Sequence, residues 1–336
     1  MKNICSRVAI PRLSWLALAA VAAPLWAQGP GGAEPYGEWL VKAEFNGRQM
    51  ESILSFSRND QGALTGQWIS FWGINDLENV RFDNGQLTFT QVIRPASGDT
   101  MTASFKGTIA NRQLSGTISS DRGEYHLTGE RLRRMSWAAG DWDMTVKMGD
   151  REFAATLVVR PGLDNTLKAE WQSQWGEHKI TDVELDRGTL RFKRTSKVQD
   201  REWTSTFEGS IQGDTLSGTF RSERGEAAAV GKRRGAALVG DWVLDLTSER
   251  GSRKQRLRVN PDLTGLYGTT RLEKVRLEGE QVGFDVVWQF GDRTFESKFV
   301  GKLVDSKLEG DLTSERGTAK VTGTKLARPV RGGGAR

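Results

Sequence analysis

The chain has 336 residues, with 48 Lys and Arg set against 42 Asp and Glu. The two signs are interleaved along the sequence, so there is no concentrated basic stretch of the kind that serves nucleic acid. A single cysteine, Cys5, excludes a disulfide framework and leaves the fold to its hydrophobic cores.

In chain order, the first segment carries Lys2, Arg7 and Arg12 ahead of an apolar run from Leu13 to Ala23. Leu25-Trp26-Ala27 then offers a small residue at a cleavage point, so residues 1–27 read as a secretory signal, too short to span a bilayer stably. Cys5 precedes the apolar run, whereas a lipid-attachment cysteine would follow it. Loss of the segment leaves 45 basic residues against 42 acidic ones, so the pI near 9.4 overstates the basic character. The expected location is periplasmic or secreted, with no stable membrane span after cleavage.

Three copies of one unit follow. Gly37-Glu38-Trp39, Gly140-Asp141-Trp142 and Gly240-Asp241-Trp242 open them, 103 and then 100 residues apart. Near the end of each, Phe-x-Gly leads through Leu-x-Gly to a Ser-acid-Arg-Gly tetrapeptide. These run Phe105 to Gly123, Phe207 to Gly225 and Phe299 to Gly317, always 18 residues. The units are expected over 37–132, 140–234 and 240–326, with a disordered Gly- and Arg-rich tail over 327–336. Within a unit, Val80-Arg81-Phe82 and Leu87-Thr88-Phe89 alternate apolar and polar residues around Asn84-Gly85, a hairpin signal. The same hairpin recurs around Arg187-Gly188 and Glu278-Gly279. Turn signals give about eight short strands per unit, in the first near 38–45, 49–57, 63–71, 78–83, 86–93, 100–107, 112–119 and 123–131. The fold class is all-β: three tandem antiparallel up-and-down β-barrels of about eight short strands each. A flattened sandwich or half-open barrel is the alternative closure. The linkers carry Met135, Trp137 and Leu238, which predicts a semi-rigid array rather than loosely tethered domains.

The opening Gly-x-Trp, with a basic residue on the last strand, resembles the calycin superfamily of lipocalin-like and avidin-like barrels. The resemblance implies that Trp39 with Arg131, Trp142 with Arg233, and Trp242 with Lys325 close one barrel end. A closer likeness is to small β-barrel modules beside 3-keto-disaccharide hydrolase (family-16-like glycosidase) domains of exported bacterial proteins. Leu64-Thr65-Gly66 leading to Trp72-Gly73 carries it. No large hydrolase domain accompanies the repeats here, so the partner domain's activity does not transfer.

The best candidate ligand-binding residues are Trp68 and Trp72, repeated as Trp171 and Trp175. Residues four apart on a strand share a face, and two indoles on one face suit a sugar or line an apolar mouth. The competing reading is that they are core or barrel-end plugs. In the third unit Tyr267 replaces the first Trp, and about four residues around the Trp-Gly turn are missing. That absence shows the turn is not needed to fold the unit and favours a binding role in the other two. Trp203 and Trp288 fall on another strand and are expected in the core. The Ser-acid-Arg-Gly tetrapeptides, with a further copy at Ser248-Glu249-Arg250-Gly251, read as turns rather than sites. His126 and His178 stand at non-matching positions, and no metal-ligand spacing or nucleophile pattern surrounds them. No catalytic residue, metal site or cofactor is expected.

The sequence therefore points to an exported non-catalytic binding protein, with carbohydrate, or a small apolar ligand, at Trp-bearing barrel ends. The alternative is a structural or protein-interaction scaffold contacting another envelope protein. An enzyme on sugar derivatives or lipids stands third.

Overall fold

The computed structural model describes residues 34–45, 47–94, 99–162, 166–290 and 293–327. The signal segment, Cys5 and the tail from residue 328 onward lie outside them. Among the described residues every regular element is a strand, and the strands form three antiparallel sheets.

The first sheet runs β1 (Gly37–Phe45), β2 (Arg48–Arg58), β3 (Leu64–Ser70), β4 (Gly73–Asp83), β5 (Gln86–Ile93), β6 (Met101–Ala110), β7 (Gln113–Ser120) and β8 (Gly123–Arg131). Each strand pairs with the next, and β1 pairs with β8, which closes the barrel and removes its edges. The second runs β9 (Gly140–Met148), β10 (Arg151–Pro161), β11 (Leu167–Gln172), β12 (Glu177–Asp186), β13 (Thr189–Val198), β14 (Arg201–Gln212), β15 (Thr215–Ser222) and β16 (Gly225–Arg233). Here β9 again pairs with β16, but β11 and β12 end the sheet, leaving a seam between them.

The third sheet has nine strands: β17 (Gly240–Ser248), β18 (Gly251–Val259), β19 (Gly265–Tyr267), β20 (Thr270–Leu272), β21 (Arg276–Glu278), β22 (Gln281–Phe290), β23 (Arg293–Val304), β24 (Lys307–Ser314) and β25 (Gly317–Lys325). The missing residues noted above shorten β19 and β20 to three residues each, and the seam lies between β20 and β21. Each of the three sheets is thus a barrel-like meander whose first strand pairs with its last.

The repeated motifs have a packing reason. Phe89 faces Phe105, Phe192 faces Phe207 and Phe284 faces Phe299 across paired strands, with ring centroids 4.7–4.8 Å apart. Stacked rings of this kind contribute about 0.5–1.5 kcal/mol beyond their area. The second ring of each pair lies over two glycines on neighbouring strands, Gly107 and Gly116 in the first barrel. A Cβ on either would sit 2.5 Å from the Phe105 ring. Phe-x-Gly and Leu-x-Gly thus form one device, in which two glycines clear room for one aromatic ring. In the turn between β4 and β5, Asn84 and Gly85 both take positive φ, 47° and 81°, matching the twist of the hairpin.

The Gly-x-Trp end of each barrel is shut in the same way three times. The indole Nε1 of Trp39, Trp142 and Trp242 donates to the carbonyl four residues back, Pro35, Ala138 and Leu238, at 2.8–3.1 Å. The last strand supplies a cation 4.1–5.4 Å from each ring: Arg131, Arg233 and Lys325. That cation also holds the entering chain by its carbonyls, Arg131 on Tyr36 at 2.7 Å and Lys325 on Ala237 at 2.7 Å. The linkers are packed rather than loose. Leu238 is buried in the third core, and Trp137 donates to the Gly213 carbonyl at 2.5 Å.

Candidate binding site at the open barrel ends

The opposite end of each barrel is formed by hairpin turns. The Ser-acid-Arg-Gly tetrapeptides lie here, between β7 and β8, β15 and β16, β17 and β18, and β24 and β25. In all four the serine Oγ accepts from the arginine N–H at 3.2–3.3 Å and donates to the glycine carbonyl at 3.2–3.4 Å. These are backbone-serving turns. The fourth copy is no stray: because β17 pairs with β25, its turn stands beside Ser314–Gly317.

The turn between β3 and β4, Phe71-Trp72, does not open into solvent alone. It docks on the third barrel, where β19 and β20 are short. Gln255, fully buried, donates its amide to the carbonyls of Ser70 at 3.1 Å and Phe71 at 2.8 Å. Arg253 donates to the carbonyls of Phe71 and Trp72 at 3.3 and 3.2 Å. Three turn carbonyls are thereby satisfied by side chains of another barrel. Gly73 permits the approach: its φ is 148°, and a Cβ there would lie 2.7 Å from the Lys254 carbonyl. Phe71 packs on Trp288 with centroids 3.8 Å apart, Trp72 meets the same indole edge-on at 6.2 Å, and Trp288 stacks on Phe295 at 4.5 Å.

A second contact locks the same two barrels. Glu38 of β1 and Asp241 of β17 are buried among Arg256 and Arg258 of β18, with Arg134 of the linker at the rim. Arg258 grips both Glu38 oxygens and donates Nε to Asp241 at 2.8 Å. Arg134 reaches Asp241 at 2.8 Å, and Arg256 lies 3.4 Å from both acids. Burial alone would raise the Asp241 carboxyl, but Arg258, Arg256 and Arg134 together pull it down to about 2. Burial likewise opposes the Arg258 charge, and Glu38 and Asp241 outweigh it, so its pKa is raised. This explains why five successive residues, Gln255 to Val259, are all buried: the third barrel covers one face of β18 and the first covers the other.

Between the Phe71-Trp72 turn and the open end of the third barrel lies a cavity of about 770 Å³. Phe71, Trp72, Trp288 and Phe295 supply its aromatic surface, and Arg250 and Arg316 reach it from the tetrapeptide turns. Arg316 lies over the Phe295 ring at 5.0 Å.

The four candidate tryptophans therefore occupy two kinds of place. Trp68 and Trp171 point inward, Trp68 edge-on to Phe89 at 6.3 Å and Trp171 edge-on to Phe220 at 5.2 Å. Trp72 and Trp175 lie in turns and are 57% and 52% exposed. The members of each pair do not share a strand face, because β3 ends at Ser70 and β11 at Gln172. Trp175 touches Phe153 of its own barrel, edge-on at 6.4 Å. Two expectations are corrected. Trp288 is a half-buried residue of the cavity, not of the core, because the shortened wall beside it exposes its ring to the first barrel. Trp203 is also half-buried, under Arg224 at 4.5 Å.

His126 is on the outer surface near Ser115. His178 is half-buried, with Nδ1 2.9 Å from Ser196 Oγ and Nε2 2.8 Å from Ser173 Oγ. Among the described residues there is no group of three or more metal-ligating side chains, and no helix is long and apolar enough to cross a membrane.

No family model matches the chain, and no curated protein matches it. Among solved structures, it is similar to a proposed outer membrane protein of Bacteroides fragilis at 12% identity, covering 59% of this chain and 96% of that one, with a TM-score of 0.23. A protein of unknown function of the DUF3598 family from Nostoc punctiforme is 11% identical, with coverage of 87% and 96% and a TM-score of 0.20. A transferrin-binding protein B double mutant of Haemophilus parasuis is 9% identical, with coverage of 82% and 66% and a TM-score of 0.20. At such TM-scores none of them carries an argument about this site.

Proposed function

We propose that the protein is an exported, non-catalytic binding protein that takes carbohydrate at its Trp-bearing open barrel ends, first of all in the cavity between the first and third barrels. The observation that carries this reading is Trp72, exposed on a cavity of about 770 Å³ and braced edge-on by Trp288, with Arg250 and Arg316 on the rim. Indole faces suit the apolar faces of sugar rings, and a mixed polar rim suits hydroxyls, the usual composition of a small-molecule site. Trp175 offers the second barrel's counterpart. The export reading rests on the basic start and apolar run of residues 1–27, and gives a periplasmic or secreted location. Folding units at 37–132, 140–234 and 240–326, and kinship with the barrel modules that accompany disaccharide hydrolases, belong to the same reading. Titration of intrinsic Trp fluorescence with neutral oligosaccharides tests it. A saturable change, weakened about tenfold or more by Trp72→Ala, is expected. No response to any neutral sugar from the folded protein would contradict it.

The buried ion cluster favours a second reading, a rigid envelope scaffold that meets another protein. A pull-down from native periplasm that returns one stoichiometric partner, with no sugar response, would favour that reading over the first.

A further inference from the structure

The interior of the second barrel differs from the other two in one respect. The inward residues of β13 run Leu190, Phe192, Arg194 and Ser196. The matching residues are Leu87, Phe89, Gln91 and Ile93 in the first barrel, and Val282, Phe284, Val286 and Trp288 in the third. Only the second barrel places a charge there. Arg194 lies over Phe220 at 4.0 Å and over Trp171 at 4.7 Å. Its guanidinium makes no ion pair and no hydrogen bond among the described residues, and its Nε is shut away from solvent without a partner. No acid of this barrel pairs with it among the described residues: Asp141 meets Arg160, Asp182 meets Lys193, Glu208 meets Arg191 and Glu226 meets Arg221, and none of the other carboxylates forms an ion pair with Arg194. Besides the two rings, uncharged polar groups lie nearby: His178 is held between Ser173 and Ser196, and Ser205, paired with Arg194 across the strands, is buried. Burial and the neighbouring Arg194 charge both lower the His178 pKa. Burial brings Arg194 itself down to about 10, with no acid raising it.

A guanidinium is a rigid fork that matches a carboxylate, and a cation withdrawn from water normally has a counter-ion, which half-buried Arg194 lacks among the described residues. The barrel wall also lacks ladder bonds between β11 and β12, beside His178 and the exposed Trp175 turn. We propose that the second barrel is a receptor for a carboxylate-bearing small ligand, which enters at the seam between β11 and β12 and pairs its carboxylate with Arg194. The serine hydroxyls and the imidazole of His178 supply further hydrogen-bonding groups beside it. This site is chemically distinct from the cavity between the first and third barrels, and it stands or falls apart from it.

The test uses the full chain with glucuronate, glucose and acetate as probes, read by isothermal titration. Glucuronate is expected to bind and glucose not to bind at this site. Acetate binding as well as glucuronate would place the recognition in the carboxylate alone; glucuronate without acetate would add the sugar ring. Arg194→Gln places in the second barrel the residue that the first barrel already buries at Gln91, and should weaken glucuronate at least tenfold. The same variant should melt no lower than the parent, because it removes an unpaired charge. Unchanged glucuronate binding in Arg194→Gln, no carboxylate binding in the parent, or a variant that fails to fold would each overturn the proposal, the last by making Arg194 structural.

Discussion

The turn between β3 and β4 and the turn between β11 and β12 begin from nearly the same sequence, yet they have different fates. Each carries a Trp-Gly after a strand, and each has a serine whose Oγ accepts from the Trp N–H at 3.1 Å. Phe71-Trp72 is docked, its carbonyls held by Gln255 and Arg253 and its rings packed on Trp288. Trp175 stands against Phe153 of its own barrel and makes no comparable bridge among the described residues. The difference does not originate in either turn. It comes from the third barrel, whose short β19 and β20 leave an opening that the first barrel fills. A deletion that seems to mark a dispensable feature is in fact half of a joint.

The comparison predicts a ranked set of effects. Glu38→Gln should do most harm, leaving the buried Arg256 and Arg258 to share Asp241 alone, at a cost of roughly 3–5 kcal/mol. Asp141→Asn, at the matching position of the second barrel, should cost less than about 1 kcal/mol, because its partner Arg160 is well exposed. Urea midpoints of the two variants measure both. Next, Trp288→Ala should lower stability by about 2 kcal/mol, through lost contact with Phe71 and Phe295. Acid should act on the same joint. The Asp241 pKa is lowered from 3.8 to about 2, so its contribution is fully present above about pH 4. It should be lost as the pH falls towards 2, roughly 2 kcal/mol in all, and Asp241→Asn should flatten that part of the stability–pH curve. The smallest effects separate the two turns directly. Trp72→Ala should cost about 1 kcal/mol, and Trp175→Ala less than about 0.5 kcal/mol, by thermal melting.

Much of the architecture was legible because it depends on local or periodic features. Alternation placed the strands of the first barrel to within a few residues; β4 starts five residues earlier than expected, at Gly73. Its bulge at Asn79, with φ of 53°, interrupts the period there. The repeats located the units' sheets because Phe-x-Gly and Leu-x-Gly are one packing device. The docking of the first barrel on the third was not legible. Alternation tells which residues leave the core but not which outer faces meet, and Glu38 and Arg258 are 220 residues apart. Lys254-Gln255-Arg256-Leu257-Arg258 was the available hint, a strand too polar to fill a core yet opposite the shortened wall. The place of Trp288 was hidden for the same reason: alternation sets it inward, but nothing local shows that the wall beside it is missing. Arg194 passed unnoticed because one arginine in an alternating strand looks like an outer residue until the register places it inside.

The first barrel's turn completes the third barrel. Hydrogen exchange compared between the full-length protein and a Phe71→Ala/Trp72→Ala variant tests it most directly. Exchange should quicken across β18 to β20, residues 251–272, some 180 residues from the substitutions, with the second barrel unchanged. Loss of protection confined to β3 and β4, with residues 251–272 as protected as before, would contradict it.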